Sequence, residues 1–483
     1  MIFDVLKHRI MKIEQIYTGC LAQGAYYIES DGEAAIVDPL REVDPYIKKA
    51  ERNGAQIRYV LETHFHADFV SGHLDLAKKT GAKIVYGPMA EPAFDFYPAW
   101  DQEELSLGKV KIRVIHTPGH TMESTCYLVL DENGKETALF SGDTLFIGDV
   151  GRPDLAQRVN ASLTPEKLAG HLYDSLREKI LPLSDEIIIY PAHGAGSACG
   201  KNMSRETTDT LGHQKKVNYA LRPGLTKEAF IKEVTEGLVP SPSYFPANVL
   251  MNIKGYESID QVLLRGLNPL TPAAFEKLAA EYEALILDVR TAEKFAAAFI
   301  PGSINIGLDG SFAPWVGTLI TDIRHPLLLI VEDGREEEAI IRLSRVGYDH
   351  VLGFLKGGIA EWISAGKETD HIERVSATQL AKIDAASAQI NILDVRKRSE
   401  FLSEHIIGAK NIPLDFINDE TSSFEKDKKW YVHCAGGYRS MIFTSILRAR
   451  GYTNLVDVEG GFKAIKENGH FRLTEYVCPT TML

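Results

Sequence analysis

From Lys12 to Pro39 apolar and polar positions alternate, in the stretches KIEQIYTG, AYYIES and EAAIVDP, with β-branched and aromatic residues at many of the apolar places. A period of two predicts strands joined by turns. A helical pattern follows over residues 43–53, then IRYVLETH as a strand that delivers histidines to its end. The strand pattern returns in KIVYGP, KIRVIHTPGH, STCYLVLD, TALFSGDTLF and DEIIIYPAHG. Three of these runs end in a histidine or aspartate beside glycine or another turn residue. α/β folds present reactive groups in this way, on loops at strand ends.

Residues 238–272 change character, with five prolines between 240 and 272, and read as a domain boundary or a wrapping linker. An internal repeat follows: LILDVRTAEKFAAAFIPGSINIGL (285–308) matches NILDVRKRSEFLSEHIIGAKNIPL (391–414), and GYDHVLGFLKGGIAEW matches GYTNLVDVEGGFKAI. Each copy alternates strand with helix, the pattern of a small α/β domain with a parallel sheet. The expected layout is one domain over residues 11–250, a linker over 251–270, and related domains over 271–370 and 374–475.

A chain of 483 residues fits this division. The net charge of −13 argues against a sequence-independent grip on nucleic acid, though a local basic pocket for a small anion is compatible with it. No apolar run reaches membrane-spanning length, and MIFDVLKHRIMK has no signal-peptide core, so residues 1–10 read as a loose extension before Met11. Five cysteines without regular spacing do not form a disulfide framework. The expectation is a cytoplasmic protein with no membrane or nucleic-acid partner, assembled as a homo-oligomer.

The candidate metal ligands are His64, His66 and Asp68 in HFHAD, His120 in TPGH, Asp143 in SGD and His193 in PAHG. Four imidazoles and two carboxylates at predicted strand ends suit a divalent first-row metal. Together these motifs resemble the metallo-β-lactamase fold, an αββα sandwich whose members include glyoxalase II and the persulfide dioxygenases. In its two-metal hydrolases a histidine directly follows the Asp of the run and holds the second metal. Here that residue is Phe69, and His73 lies about 6 Å further along if a helix starts here. The resemblance to persulfide dioxygenases implies one Fe(II) per chain, held by His64, His120 and Asp143, with His66, Asp68 and His193 around it as supporting groups or further ligands; zinc is the alternative. Two histidines and a carboxylate leave positions open for a substrate and O2. Arg152, in GDVGRPDL, is a candidate for the anionic end of a thiol substrate or for a loop ion pair. Cys199 either lines the substrate channel or is buried packing.

In WYVHCAGGYRS (430–440) a strand leads through a tight loop into a helix. Gly436 and Gly437 allow an anion nest, the helix start adds its positive end, and Arg439 adds a charge. All three favour a thiolate or persulfide at Cys434. The Cys-x-x-Gly-x-Arg loop, with LDVR, GAKNIPL and GGF around it, resembles the rhodanese sulfurtransferases. The resemblance makes Cys434 and Arg439 catalytic and Ala435, Gly436, Gly437 and Tyr438 the cradle of the transferred sulfur. The first repeat carries IVEDGREEE instead, with Glu332 and Asp333 read at the cysteine's place, and is expected to be an inactive spacer or docking domain.

The whole layout resembles fused persulfide dioxygenase–sulfurtransferases of bacterial sulfide detoxification. That resemblance implies a small-thiol persulfide and O2 as substrates, and sulfite or thiosulfate as product or partner. Three other readings stand beside it: a zinc thioesterase of the glyoxalase kind, a sulfurtransferase with a decayed metal domain, and a sulfide sensor.

Overall fold

Strands of the N-terminal half pair largely in chain order. The computed structural model describes residues 11–155, 162–238, 240–387, 390–420, 426 and 428–478, so the extension read over residues 1–10 lies outside it. Its first sheet takes Lys12–Thr18, Gln23–Ser30, Glu33–Val37, Gln56–Leu61, Lys83–Tyr86 and Tyr97–Pro98 in that order. The second takes Glu104–Leu107, Val110–His116, Thr125–Leu130, Glu136–Gly142, Ile188–Pro191 and Asp209–Thr210. Alternation puts Tyr26, Ile28, Val37 and Leu61 on one inner face against Ile112, Val114, Tyr127 and Phe140 on the other. Helix Asp44–Asn53 packs Tyr46 and Ala50 on the outside of the first sheet. Helix Pro165–Ser175 and helix Lys227–Thr235 cover the second with Leu172 and Phe230. The result is the αββα sandwich.

Glu136–Gly142 and Ile188–Pro191 are parallel, and Val110–His116 shares their direction because it is two antiparallel steps from Glu136–Gly142. His120, Asp143 and His193 therefore leave the same edge of the second sheet. His64 follows Gln56–Leu61 of the first sheet, and an isolated bridge between Gln23 and His193 ties the two sheets at that edge.

The C-terminal half holds two parallel five-stranded sheets of the same topology. One runs Pro269–Leu270, Val351–Leu355, Leu327–Ile330, Leu285–Asp288 and Ile304–Asn305. The other runs Arg374–Val375, Leu455–Val458, Trp430–His433, Asn391–Asp394 and Lys410–Asn411. The repeated LDVR has a physical basis. Arg290 wraps onto Asp288 and Arg396 onto Asp394, each through Nε at 2.9–3.0 Å, with both pairs buried. A buried ion pair persists only when its remaining donors are met, and Ala298 and Glu404 carbonyls accept from the two arginines at 2.8 Å. Asn305 and Asn411 repeat a further device, each donating to the backbone oxygens of that Asp and Arg.

The proline-rich stretch differs from a bare linker. Phe245–Lys254 and Ile259–Gly266 are helices, the first with Pro246 in its opening turn, where a missing N–H costs nothing. Asn252 donates to the carbonyls of His66 and Phe69 and accepts from the Ser71 N–H, so this segment grips the histidine loop. The chain divides into one unit up to Gln261 with Leu343–Gly347, and a second made of the remainder. Among the described residues no helix is long and apolar enough to cross a membrane.

Candidate active sites

Four loops at one edge of the sandwich bring the metal candidates together. His64, His120 and Asp143 are buried with ligand atoms in mutual reach. Asp143 Oδ2 lies 3.4 Å from His120 Nε2 and 3.9 Å from His64 Nε2. Each imidazole is aimed by its other nitrogen: His64 Nδ1 sits 3.0 Å from Thr63 Oγ1, and His120 Nδ1 2.8 Å from the Arg152 carbonyl. Gly142 allows Asp143 its place, since its φ is +52° and a Cβ there would stand 2.7 Å from Thr63. Burial, with the neighbouring histidines, holds His64 well below the usual imidazole range, so it is neutral and free to ligate. Both Asp143 carboxylate oxygens are buried without a hydrogen-bond donor. Buried carboxylate oxygens demand a partner, and a cation fits this donor set.

His66 has ligand-capable reach to Asp68 and His193, within 4.8 Å, and also meets Asp38 and Glu62. Its Nε2 lies 3.1 Å from Asp38 Oδ1 and 3.7 Å from Glu62 Oε2, and its ring lies 4.3 Å from the Phe69 ring. Burial opposes a charge on His66, but Asp38, Glu62 and Asp68 overcome it and lift the imidazole to about 9. Thr63 fixes Asp38 by donating both its N–H and its hydroxyl, at 2.8 Å each. Asp68 and His193 form the far side: His193 Nε2 is 3.5 Å from Asp68 Oδ2 and 3.6 Å from Asp143 Oδ1. His73 starts the helix His73–Thr80 and is buried among Tyr86, Phe94 and Tyr256, where burial lowers it to about 3. Asp38 and Glu62 were not singled out in the sequence. Their signal was position: one ends the strand Glu33–Val37 and the other the strand Gln56–Leu61.

The second site is built on the strand Trp430–His433. Cys434 is 2% exposed and follows it directly. Gly437, at φ +102°, caps the helix Tyr438–Ala449 and donates its N–H to Cys434 Sγ at 3.1 Å. Ala435 and Gly436 are exposed on the loop. Arg439 sends Nη1 and Nη2 to Glu400 at 2.6 and 2.9 Å, so its charge reaches the loop as one half of an ion pair. Burial opposes ionisation of Glu400, yet Arg439 holds its carboxyl below the usual range. Glu400 was missed in the sequence because it sits thirty-nine residues upstream of Arg439 in a helix that reads as surface.

Strand register corrects one position in the first repeat. Asp288 pairs Ile330 as Asp394 pairs His433, so the residue matching Cys434 is Val331, not Glu332 or Asp333. Val331 is 5% exposed. Its loop is filled by its own ion pairs, Lys294 with Glu332 and Arg335 with Asp309 and Glu338.

Residues 18–193 match the metallo-beta-lactamase superfamily, and residues 271–365 and 376–468 each match the rhodanese-like domain. The hydroxyacylglutathione hydrolase GloC of Haemophilus influenzae is 30% identical over 213 residues, 40% of this chain and 94% of its own length. The chain belongs to the metallo-beta-lactamase superfamily. Two rhodanese-like domains follow its metallo-beta-lactamase domain. A probable hydroxyacylglutathione hydrolase of Schizosaccharomyces pombe is 33% identical over 168 residues, 34% of this chain and 60% of that protein. The crystal structure of a metallo-beta-lactamase from Staphylococcus aureus covers 72% of this chain and 98% of its own, at 30% identity and a TM-score of 0.62.

In the metallo-beta-lactamase domain Arg152 takes the loop ion pair. Its Nε and Nη2 both donate to Asp154 at 2.7 Å, and Nη1 donates to the Ala198 carbonyl at 3.3 Å. Cys199 is buried with ligand-capable contact to Asp143 and His193, and burial, with Asp68 and Asp143, pushes its thiol well up. Gly151 is the tightest point of the centre. A Cβ there would fall 2.0 Å from the Asp143 carbonyl and 2.9 Å from His120 Nδ1. Gly151→Ala should therefore displace two candidate ligands at once and weaken metal binding by about 10- to 100-fold, the range for supporting groups. Metal retained after dialysis against a graded chelator would measure it; unchanged retention would show that the loop yields without moving the ligands.

Proposed function

We propose that the metallo-beta-lactamase domain is a mononuclear iron(II) persulfide dioxygenase and that the second rhodanese-like domain is a sulfurtransferase acting on the same sulfur pool. The observation that carries this reading is the Phe69 ring, packed 4.3 Å from the His66 ring at the place where a second metal would need an imidazole, with His66 Nε2 3.1 Å from Asp38 Oδ1. That leaves His64, His120 and Asp143 as a two-histidine, one-carboxylate set, the donor set of non-haem iron oxygenases. Iron(II) bound there supplies open positions for a sulfur anion and O2 and the redox capacity to join them. The net reaction takes a thiol persulfide, O2 and water to the thiol, sulfite and protons.

The chain's own part is orientation. Thr63 and the Arg152 carbonyl aim the two imidazoles, and His193, with Asp68 behind it, lines the Oδ1 side of Asp143. The burial of these groups excludes bulk water from the reacting sulfur. At the second site Cys434 carries sulfane sulfur under the Gly437 amide, and sulfite attack on it yields thiosulfate and the free thiol.

Metal analysis of protein purified without added metal, joined to O2 uptake with a small-thiol persulfide, tests the proposal. About one iron per chain with persulfide-dependent uptake is expected from an open facial set. A zinc pair with turnover of a hydroxyacylglutathione thioester and no O2 uptake would replace it with a hydrolase. One observation favours that second reading: Asp143 Oδ1 faces His193 and through it Asp68, so all but one protein ligand of a second metal site is in place. Phe69→His supplies the missing one. On the dioxygenase reading it should raise bound metal from about one toward two per chain and depress O2 uptake, as a bridged pair closes the open positions. Inductively coupled plasma analysis of the variant measures the first effect and an oxygen electrode the second.

A further inference from the structure

We infer that the cysteine-free rhodanese-like domain positions the Cys434 loop, through Tyr438 held against Gly307 and Gly310. The inference rests on the sulfurtransferase reading of Cys434 and assigns the cysteine-free domain a task within it.

Tyr438 is the first residue of the helix Tyr438–Ala449 and directly follows Gly437, whose N–H meets the Cys434 sulfur. Its side chain leaves its own domain. The hydroxyl donates to the Gly307 carbonyl at 2.7 Å. The ring lies over Gly310 so closely that a Cβ there would stand 2.5 Å from Cζ and 2.6 Å from Cε2. Gly310 lacks a positive φ, so the space taken by the tyrosine ring, not the backbone conformation, is what calls for glycine. In the second repeat Pro413 stands where Gly307 stands in the first, and Arg335 occupies the place of Tyr438. The contact thus runs one way, from the loop that has the cysteine to the domain that lacks it.

The same helix face continues the contact. Met441, Ser445 and Arg448 follow Tyr438 at steps of three, four and three, which places them on one side of a helix. Met441 is fully buried with Phe295, Ala296 and Phe299. Ser445 Oγ accepts from the Asn305 N–H at 2.9 Å, and Arg448 pairs with Asp370 at 2.7 and 2.8 Å. These contacts anchor the helix, but only Tyr438 acts next to the amide that holds sulfur. Tyr438 is a positioning residue: its hydroxyl fixes the first helical turn, and that turn fixes the Gly437 N–H.

Tyr438→Phe removes the hydroxyl and keeps the ring. In the full-length protein it should lower kcat for sulfur transfer from thiosulfate to cyanide roughly threefold to tenfold, the worth of one hydrogen bond, with KM for thiosulfate little changed. Iodoacetamide alkylation of Cys434, followed by peptide mass spectrometry, should slow by a similar factor and reads the sulfur without turnover. Gly310→Ala should act alike, and the double variant should be no worse than the poorer single one, because both break one contact. Asp370→Asn, at the far end of the helix, should lower the melting temperature and leave kcat unchanged. Normal kcat and alkylation in both Tyr438→Phe and Gly310→Ala would overturn the inference. So would an equal loss in Asp370→Asn, since docking in general would then govern the loop. Sulfur transfer retained in Cys434→Ser would instead remove the sulfurtransferase reading, while alkylation of the other variants would still report on the tyrosine.

Discussion

Asp143→Ala should abolish persulfide-dependent O2 uptake and strip the metal from the N-terminal domain. Asp143 is the residue on which the cluster converges, with His64 and His120 on its Oδ2 side and His193 on its Oδ1 side. Both oxygens are buried without a protein hydrogen bond that satisfies them, and a cation would do so. Loss of such a ligand should exceed the 10- to 100-fold cost typical of supporting groups, and His64→Ala and His120→Ala should match it. The informative contrast lies in the other three candidates. If one metal is held by His64, His120 and Asp143, then His66→Ala, Asp68→Ala and His193→Ala should each weaken metal binding only within about 10- to 100-fold. Metal content after chelator challenge, measured beside O2 uptake across all six variants, separates the cases. Asp68→Ala and His193→Ala as damaging as Asp143→Ala would show a two-metal centre and sink the mononuclear reading.

That contrast also marks what the sequence could carry. The clustering of the candidate ligands was legible because short apolar runs ended in His or Asp beside turn residues, and a strand leaves its last side chain at a sheet edge whatever its neighbours are. The repeat was legible because LDVR and the asparagine behind it form a closed set of partners, with little freedom to vary separately. Partner choice was not legible. His66 reads as a supporting group or a further ligand in HFHAD, and it meets Asp38, twenty-eight residues upstream, because the first sheet sets their strand ends side by side. Arg152 reads equally as a substrate contact or as half of a loop ion pair, and Asp154, two residues on, takes it. Glu332 and Asp333 read at the place of the missing cysteine, and register gives that place to Val331, because an apolar strand end is indistinguishable from a loop start in one sequence. The helices over Phe245–Gly266 were hidden by prolines that fall at helix starts and between helices, where proline is tolerated. Tyr438 looked like part of the sulfur cradle and sends its hydroxyl to Gly307, a contact between the two repeats that no local pattern encodes.

Cys434→Ser should separate the two chemistries. Cys434 is the one cysteine set at a strand end under a helix-capping amide, and the cysteine-free repeat has buried Val331 at its place. A hydroxyl in place of the thiol cannot form the persulfide, so transfer from thiosulfate to cyanide should fall by at least about 10^3-fold, as for loss of a catalytic nucleophile. The candidate metal ligands all belong to the N-terminal unit, so O2 uptake with a supplied persulfide should stay near the wild-type rate. Product analysis then becomes the decisive measurement. With the acceptor thiol gone, the sulfite made by oxygenation has no enzyme-bound sulfane sulfur to attack, and the sulfite-to-thiosulfate ratio should rise. Glu400→Gln should give an intermediate result, because Arg439 keeps its charge but loses the bidentate carboxylate that fixes its direction. A Cys434→Ser protein that made thiosulfate at the wild-type rate from persulfide and O2 would place sulfur transfer outside the second rhodanese-like domain. The glycine-capped loop would then be a binding surface for sulfur anions with no covalent role.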